Sequence, residues 1–283
     1  MKSSMILRIS FQLIVISLAC LCFMPLLHAD EPGIAVNLST SKGSILSNIK
    51  VYAFTGPGSY TGMNATTDAN GTAAFDSAGF DSGDYKFRAD YMGNRFWSPI
   101  IPMPGTSIID IIIDEESAGV NVIASSGPSQ GGRVYLFSGA GSYLGLYRNT
   151  DAGGNVFFDL PVEREFRFRA DIMGNQYWSD IATIQPGGTN HIDINAGGGN
   201  LQVTVDNGSG MPMQGIKTYL FSTSGSYLGV FQTTGTSGVV NFNVPEGTYK
   251  VRADYLGNRF WSDDTLVTED VNISLPAMVK IGN

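Results

Sequence analysis

One eleven-residue phrase occurs three times in the chain, and it constrains the fold more than any other feature. It runs Arg88-Ala89-Asp90-Tyr91-Met92-Gly93-Asn94-Arg95-Phe96-Trp97-Ser98. It returns from Arg169 to Ser179 as RADIMGNQYWS and from Arg252 to Ser262 as RADYLGNRFWS, at offsets of 81 and 83 residues. Self-similarity at a long fixed period means one supersecondary unit written several times. The chain is therefore expected to hold three copies of one small unit.

The first residues read as a targeting segment. Lys2 and Arg8 form a basic start, an apolar run follows from Phe11 to Leu27, and Ala29 offers a small residue for cleavage before Asp30. This is the pattern of a secretory signal peptide over residues 1–29. An uncleaved anchor and a lipoprotein at Cys20 are the other readings of the segment. Cys20 and Cys22 both lie within it, so the exported chain has no cysteine and its units must hold without disulfides. Losing Lys2 and Arg8 from the 17 basic residues leaves 15 against 25 acidic ones, a net charge of −10. That balance argues against a nucleic-acid partner, because phosphate-backbone binders carry basic patches. After removal of the signal no apolar stretch is long enough to span a membrane; Ile108–Ile113 is short and interrupted by Asp110.

Each unit reads as seven short strands. In the first they fall near Ile34–Ser39, Ile49–Phe54, Tyr60–Thr67, Thr72–Asp76, Asp84–Tyr91, Arg95–Ile100 and Ser107–Asp114. The fifth strand alternates most cleanly. Tyr85, Phe87 and Ala89 point one way, and Lys86, Arg88 and Asp90 the other. Units two and three repeat this with Phe166, Phe168, Ala170 and with Tyr249, Val251, Ala253. One face is core and one is solvent, as in antiparallel sheets. Met92-Gly93-Asn94 and its two counterparts supply hairpin turn residues between the fifth and sixth strands. Short, evenly spaced strands with frequent glycine predict a β-sandwich.

The stretch Thr67-Asp68-Ala69-Asn70-Gly71-Thr72-Ala73-Ala74-Phe75, followed by Gly83-Asp84-Tyr85, resembles the signature of carboxypeptidase regulatory-like domains. Those are the transthyretin-like, or collagen-adhesin B-type, sandwiches. Unit two keeps the pattern from Thr150 to Phe158; unit three keeps Gly238 to Phe242 and Gly247-Thr248-Tyr249 but has Gly235 where aspartate is expected. The resemblance implies an all-β chain of three tandem seven-stranded Ig-like (prealbumin-like) sandwiches. It also implies spacer, stalk or adhesive work rather than catalysis. The Lys–Asn cross-link of some adhesin repeats has no lysine to form it in unit two. The expected boundaries are 1–29 for the signal and 30–115, 116–196 and 197–283 for the repeats. Asn195-Ala196-Gly197-Gly198-Gly199-Asn200 reads as the more flexible of the two joints.

Little in the sequence points to catalysis. With one histidine outside the signal, His191, and no cysteine, a zinc site of the usual kind cannot be built within one chain. His191 stands alone on a stretch read as an edge strand, Thr189–Ile194, where a solvated or packed histidine is the better reading than a triad member. Asp68-Ala69-Asn70-Gly71 looks like half a calcium loop, but its counterparts lose the oxygen ligands and keep the glycine, so a β-turn is the better reading. No metal or cofactor is called for.

The candidate ligand-binding residues are Arg88, Asp90, Asn94 and Trp97, with Arg169, Asp171, Asn175 and Trp178, and with Arg252, Asp254, Asn258 and Trp261. Arg88 and Asp90, two apart on one face, are expected in cross-strand charge pairing. Each tryptophan is expected to plug the core over its alanine; the rival reading is an aromatic platform for a sugar ring. The functional expectation is a non-enzymatic exported spacer or adhesive module at the cell surface or in the periplasm. Its partner would be a protein or glycan. The alternative is a carbohydrate- or peptide-binding module using the Arg/Asn/aromatic corner.

Overall fold

The structure is a computed structural model and describes residues 33–105 and 108–278. The signal segment and its cleavage site lie outside the described residues. In the first unit the strands are β1 (Ile34–Thr40), β2 (Lys50–Thr55), β3 (Tyr60–Thr66), β4 (Thr72–Phe75), β5 (Gly83–Tyr91), β6 (Asn94–Trp97), β7 (Ile101–Met103) and β8 (Ile108–Ile113). The second has β9 (Glu115–Ala124), β10 (Gly127–Pro128), β11 (Arg133–Ser138), β12 (Tyr143–Asn149), β13 (Asn155–Pro161), β14 (Glu165–Ile172), β15 (Asn175–Trp178), β16 (Ala182–Thr183) and β17 (Asn190–Gly197). The third has β18 (Gly199–Asp206), β19 (Lys217–Ser222), β20 (Tyr227–Thr233), β21 (Val239–Val244), β22 (Gly247–Tyr255), β23 (Asn258–Trp261), β24 (Thr265–Val267) and β25 (Val271–Pro276).

Every unit stacks two sheets. In the first, one sheet has the order β4-β1-β8 and the other β3-β2-β5-β6, with β7 also on β5; the other units repeat both orders. The chain is all-β and the units are Ig-like sandwiches. Their sheets are mixed rather than purely antiparallel, because the first and last strands of each unit run parallel: β1 with β8, β9 with β17 and β18 with β25. A chain that enters on one strand and leaves on its parallel neighbour enters and exits at opposite ends.

The alternation read in the fifth strand holds. Phe87 and Ala89, Phe166, Phe168 and Ala170, and Tyr249, Val251 and Ala253 are all fully buried. Each unit has its own apolar core built on these strands. Burying one such large side chain is worth roughly 1.5–3 kcal/mol, which is how cysteine-free units of this size hold.

The predicted sixth strand ends early. After Trp97 the chain jogs through Ser98 and Pro99 and returns to β5 as β7. Ser98 makes the jog possible: its hydroxyl accepts from the Phe87 N–H at 2.9 Å and donates to the Pro99 carbonyl at 2.7 Å. Ser179 and Ser262 repeat this on Phe168 and Val251. The serine that closes the repeated phrase thus satisfies a ladder N–H that the departing strand leaves open.

The turn signature has a comparable explanation. Thr67, Thr150 and Thr234 each accept from one backbone N–H and donate to one carbonyl across the sandwich edge. Asp68 accepts from the N–H groups of Asn70 and Thr72, and Asp151 from those of Gly153 and Asn155. The aspartates therefore close turns with their own backbone.

The units meet through equivalent residues. Met92 of the first hairpin tip packs on the second core, and Met173 on the third. A Cβ on Gly93 would lie 3.3 Å from Leu144 and 3.6 Å from Ser138; one on Gly174 would lie 3.6 Å from Leu228 and 3.9 Å from Ser222. Asn175 donates to the Tyr249 hydroxyl at 3.1 Å, and the Tyr177 hydroxyl donates to the Glu246 carbonyl. At the first joint the Tyr91 hydroxyl donates to Glu115 at 3.1 Å, Arg164 lies over Phe96, and Lys42 pairs with Asp159. Only Asp114 separates β8 from β9, and only Gly198 separates β17 from β18.

The glycines of the second joint therefore do not mark a loose linker. Gly198 has φ +90, and a Cβ there would lie 2.1 Å from the Val244 carbonyl; one on Gly199 would lie 2.4 Å from the Glu269 backbone. They are glycine because backbone passes against backbone.

Two predictions follow from the joints. Gly198→Ala is expected to cost at least about 2–3 kcal/mol by denaturant unfolding, while Gly257→Ala, whose Cβ meets nothing within 4 Å among the described residues, costs only about 1 kcal/mol of φ strain. Glu115 is buried, and burial holds its carboxyl above the ordinary value; Asp159 also raises it, while the Tyr91 hydroxyl, Lys42 and Thr40 oppose. A raised folded pKa means the ionised group disfavours folding above that pKa, and the penalty vanishes below the unfolded value. Glu115→Gln is thus expected to raise Tm at about pH 7 and to leave it unchanged at about pH 3.5.

Candidate functional site

The outward positions of three adjacent strands form one row in every unit. In the register of the first, Tyr52 on β2 faces Arg88 on β5, which faces Trp97 on β6. The second row is Tyr135, Arg169 and Trp178, and the third is Tyr219, Arg252 and Trp261. The guanidinium carbon lies 4.7 Å from the tyrosine centroid in all three, and 5.7 to 5.9 Å from the indole. Phe54, Phe137 and Phe221 complete the layer, 4.7 to 4.9 Å from the indoles and 5.4 to 5.5 Å from Tyr60, Tyr143 and Tyr227.

Arg88 and Asp90 do not pair across strands. They pair along one strand, Nε to Oδ1 at 2.8 Å and Nη2 to Oδ2 at 3.0 Å, and the other two pairs match them. The neighbouring strands offer rings, not carboxylates, at the facing positions, so the guanidinium stacks sideways and forks forward. Each cation–ring contact is worth ~0.5–2 kcal/mol.

The tryptophans are not core plugs. Trp97, Trp178 and Trp261 are 43%, 38% and 44% exposed. The residue registered against Ala89 is Phe96, and Tyr177 and Phe260 stand against Ala170 and Ala253. Asn and Phe share the inner phase of this short strand, and Arg and Trp share the outer. The indole thus belongs to the surface, where the rival reading placed it.

The asparagines part from the other candidates. Asn94, Asn175 and Asn258 each donate to the carbonyl two residues back in the hairpin tip, and the first two of these tips meet the next unit. Arg, Asp and Trp come together in every copy; Asn does not join them. Sequence reasoning missed the tyrosine and phenylalanine of the second strand, although Tyr52-Ala53-Phe54, Tyr135-Leu136-Phe137 and Tyr219-Leu220-Phe221 carry the period-two signal.

His191 pairs with Asp193 at 2.9 Å, both widely exposed. Among the described residues no three His, Cys, Asp or Glu side chains gather as a metal-binding group, and no helix is long and apolar enough to cross a membrane. Chemically, each row offers ring faces and edges. Its guanidinium is already occupied by its own carboxylate, so a ligand anion would have to displace Asp90, Asp171 or Asp254.

No protein-family model matches the sequence, and no curated protein matches it. Solved structures do. The Bacillus anthracis TIE protein matches at 13% identity and TM-score 0.28, over 87% of this chain and 51% of its own, so the chain spans about half the length of that protein. The Bacillus cereus major pilin subunit BcpA matches at 11% identity and TM-score 0.27, over 86% of this chain and 99% of its own. Two B repeat units of the Staphylococcus aureus collagen binding protein match at 15% identity and TM-score 0.22, over 86% and 74%.

Trp178→Ala is expected to cost about 1 kcal/mol or less, since it removes a partly solvated ring. Phe168→Ala in the same unit costs about 3–5 kcal/mol. Urea unfolding of the two variants checks this, and ready quenching of native indole emission by acrylamide checks the exposure.

Proposed function

We propose that the chain is a non-enzymatic exported array of three sandwich repeats, 30–115, 116–196 and 197–283, released from a signal peptide at 1–29. It works as a spacer or adhesive module at the cell surface or in the periplasm. The observation that carries this reading is the threefold Tyr–Arg–Trp row, reproduced to within a few tenths of an ångström on units whose joints are one residue long. Three identical weak contacts on stiffly joined units add through effective concentration. The partner is a protein or glycan. The acidic balance disfavours nucleic acid, and the aromatic layer with its internally neutralised arginine suits an uncharged surface.

A second reading takes each row as a binding site in its own right, for a carbohydrate or an extended peptide. The half-exposed indoles favour it, because a sugar ring or an apolar side chain stacks on such a face. The twelve candidate residues then divide into nine that form the three sites and three asparagines that close the hairpin tips.

The test is a panel of polysaccharides and extended peptides, read by indole emission and by retention on immobilised material. Trp97→Ala, Trp178→Ala and Trp261→Ala are expected to weaken retention in part when made singly, and by more than about tenfold when any two are combined. Single substitutions that each remove about a third of the bound ligand, with the affinity of the remaining rows unchanged, would support the second reading. Unchanged retention in the triple variant would remove the rows from the function.

A further inference from the structure

The third hairpin tip repeats a contact element that the chain uses twice elsewhere, and in the third copy it is bare. Met92-Gly93 and Met173-Gly174 each sit against the next unit, on Leu144 with Ser138 and on Leu228 with Ser222. Leu256-Gly257 has the same backbone, φ +46 then +75, against +46 and +72 in the first tip. Yet Leu256 is 72% exposed, and a Cβ on Gly257 meets nothing within 4 Å among the described residues.

The complementary corner exists once more, on the first unit. Its residues at the positions of Ser222 and Leu228 are Thr55 and Thr61. Two features that receive Asn175 in the third unit recur there. Gly247, where a Cβ would fall 2.5 Å from the Asn175 amide, corresponds to Gly83; Tyr249, whose hydroxyl accepts from Asn175, corresponds to Tyr85. Phe80, half-buried and 5.0 Å from Tyr85, adds apolar surface beside it. Charge agrees as well. Gln176 lines the cleft that also holds Glu246 and Gly247. Arg259 takes the place of Gln176 in the third unit, and the stretch beside Gly83 carries Asp81 and Asp84.

We propose that the Leu256-Gly257-Asn258 tip of one chain docks on the Thr55, Thr61, Gly83 and Tyr85 corner of a second copy, repeating the internal joints between molecules. Asn258 then donates to the Tyr85 hydroxyl, as Asn175 does to Tyr249. Such a contact is head-to-tail and does not close on itself, so it builds linear assemblies rather than a two-fold dimer. Thr61 in place of leucine makes the contact weaker than the internal joints.

The experiment uses the chain from Asp30 onward. Sedimentation velocity over a range of concentrations is expected to show mass rising in whole-chain steps. Leu256→Asp, at an exposed position, should weaken association about tenfold or more with Tm unchanged, and Thr61→Leu should strengthen it several-fold. Geometry is read separately. Internal tips place the glycine Cβ 3.6 to 3.9 Å from the serine Cβ, within disulfide range, and the exported chain has no cysteine of its own. Combining Gly257→Cys with Thr55→Cys should give a ladder of multimers on non-reducing gels, whereas Gly93→Cys with Ser138→Cys closes within one chain. A chain that stays monomeric at about 0.2 mM, with or without Thr61→Leu, overturns the proposal. So does association that survives Leu256→Asp. A monomer that instead loses capture of some other protein on Leu256→Asp assigns the tip to a different partner and overturns it equally.

Discussion

The parallel pairing of first and last strands governs the rest of this molecule. Six registered pairs join β1 to β8, and the same arrangement recurs in β9 with β17 and β18 with β25. An antiparallel pairing would return the chain to the end at which it entered. The parallel one forces it out at the far end, where a single residue leads into the next sandwich. End-to-end order, short joints and the packing of the first two hairpin tips on the unit that follows all go with that choice. The second sheet is left free to present its outer face, and the tyrosine, arginine and tryptophan rows stand there.

Much of the fold was legible in the sequence because its signals were redundant. The alternation of the fifth strand fixed both faces three times over, and the turn threonines and aspartates marked one edge. The phase of the sixth strand was harder to read. It has only four residues, and Phe96 and Trp97 are adjacent large aromatics. Size favoured the indole for the core, but register against Ala89 gives that place to Phe96. The joint glycines misled for a related reason. Glycine supplies freedom in a linker and clearance at a crossing, and composition does not distinguish the two; the Val244 carbonyl beside Gly198 does.

The candidate site was half legible. Arginine, aspartate and tryptophan were found through repetition and do come together. The asparagine was included because it repeats equally well, yet it serves the hairpin tip. Repetition marks whatever each copy needs, whether for a surface or for a seam. The rings of the second strand escaped notice because their phrase is shorter. They nonetheless decide the chemistry of the face, since they hold the guanidinium flat and leave its charge matched by the adjacent carboxylate.

The strand arrangement also governs how the molecule carries load. Pulling on its two ends draws β1 and β8 past one another lengthwise, so their bonds are stressed together and none can open alone. The one-residue connections pass that tension directly into the next sandwich, with little slack to take up first. Each unit is thus built as a shear clamp in series with its neighbours, suited to a tether that holds its length under drag.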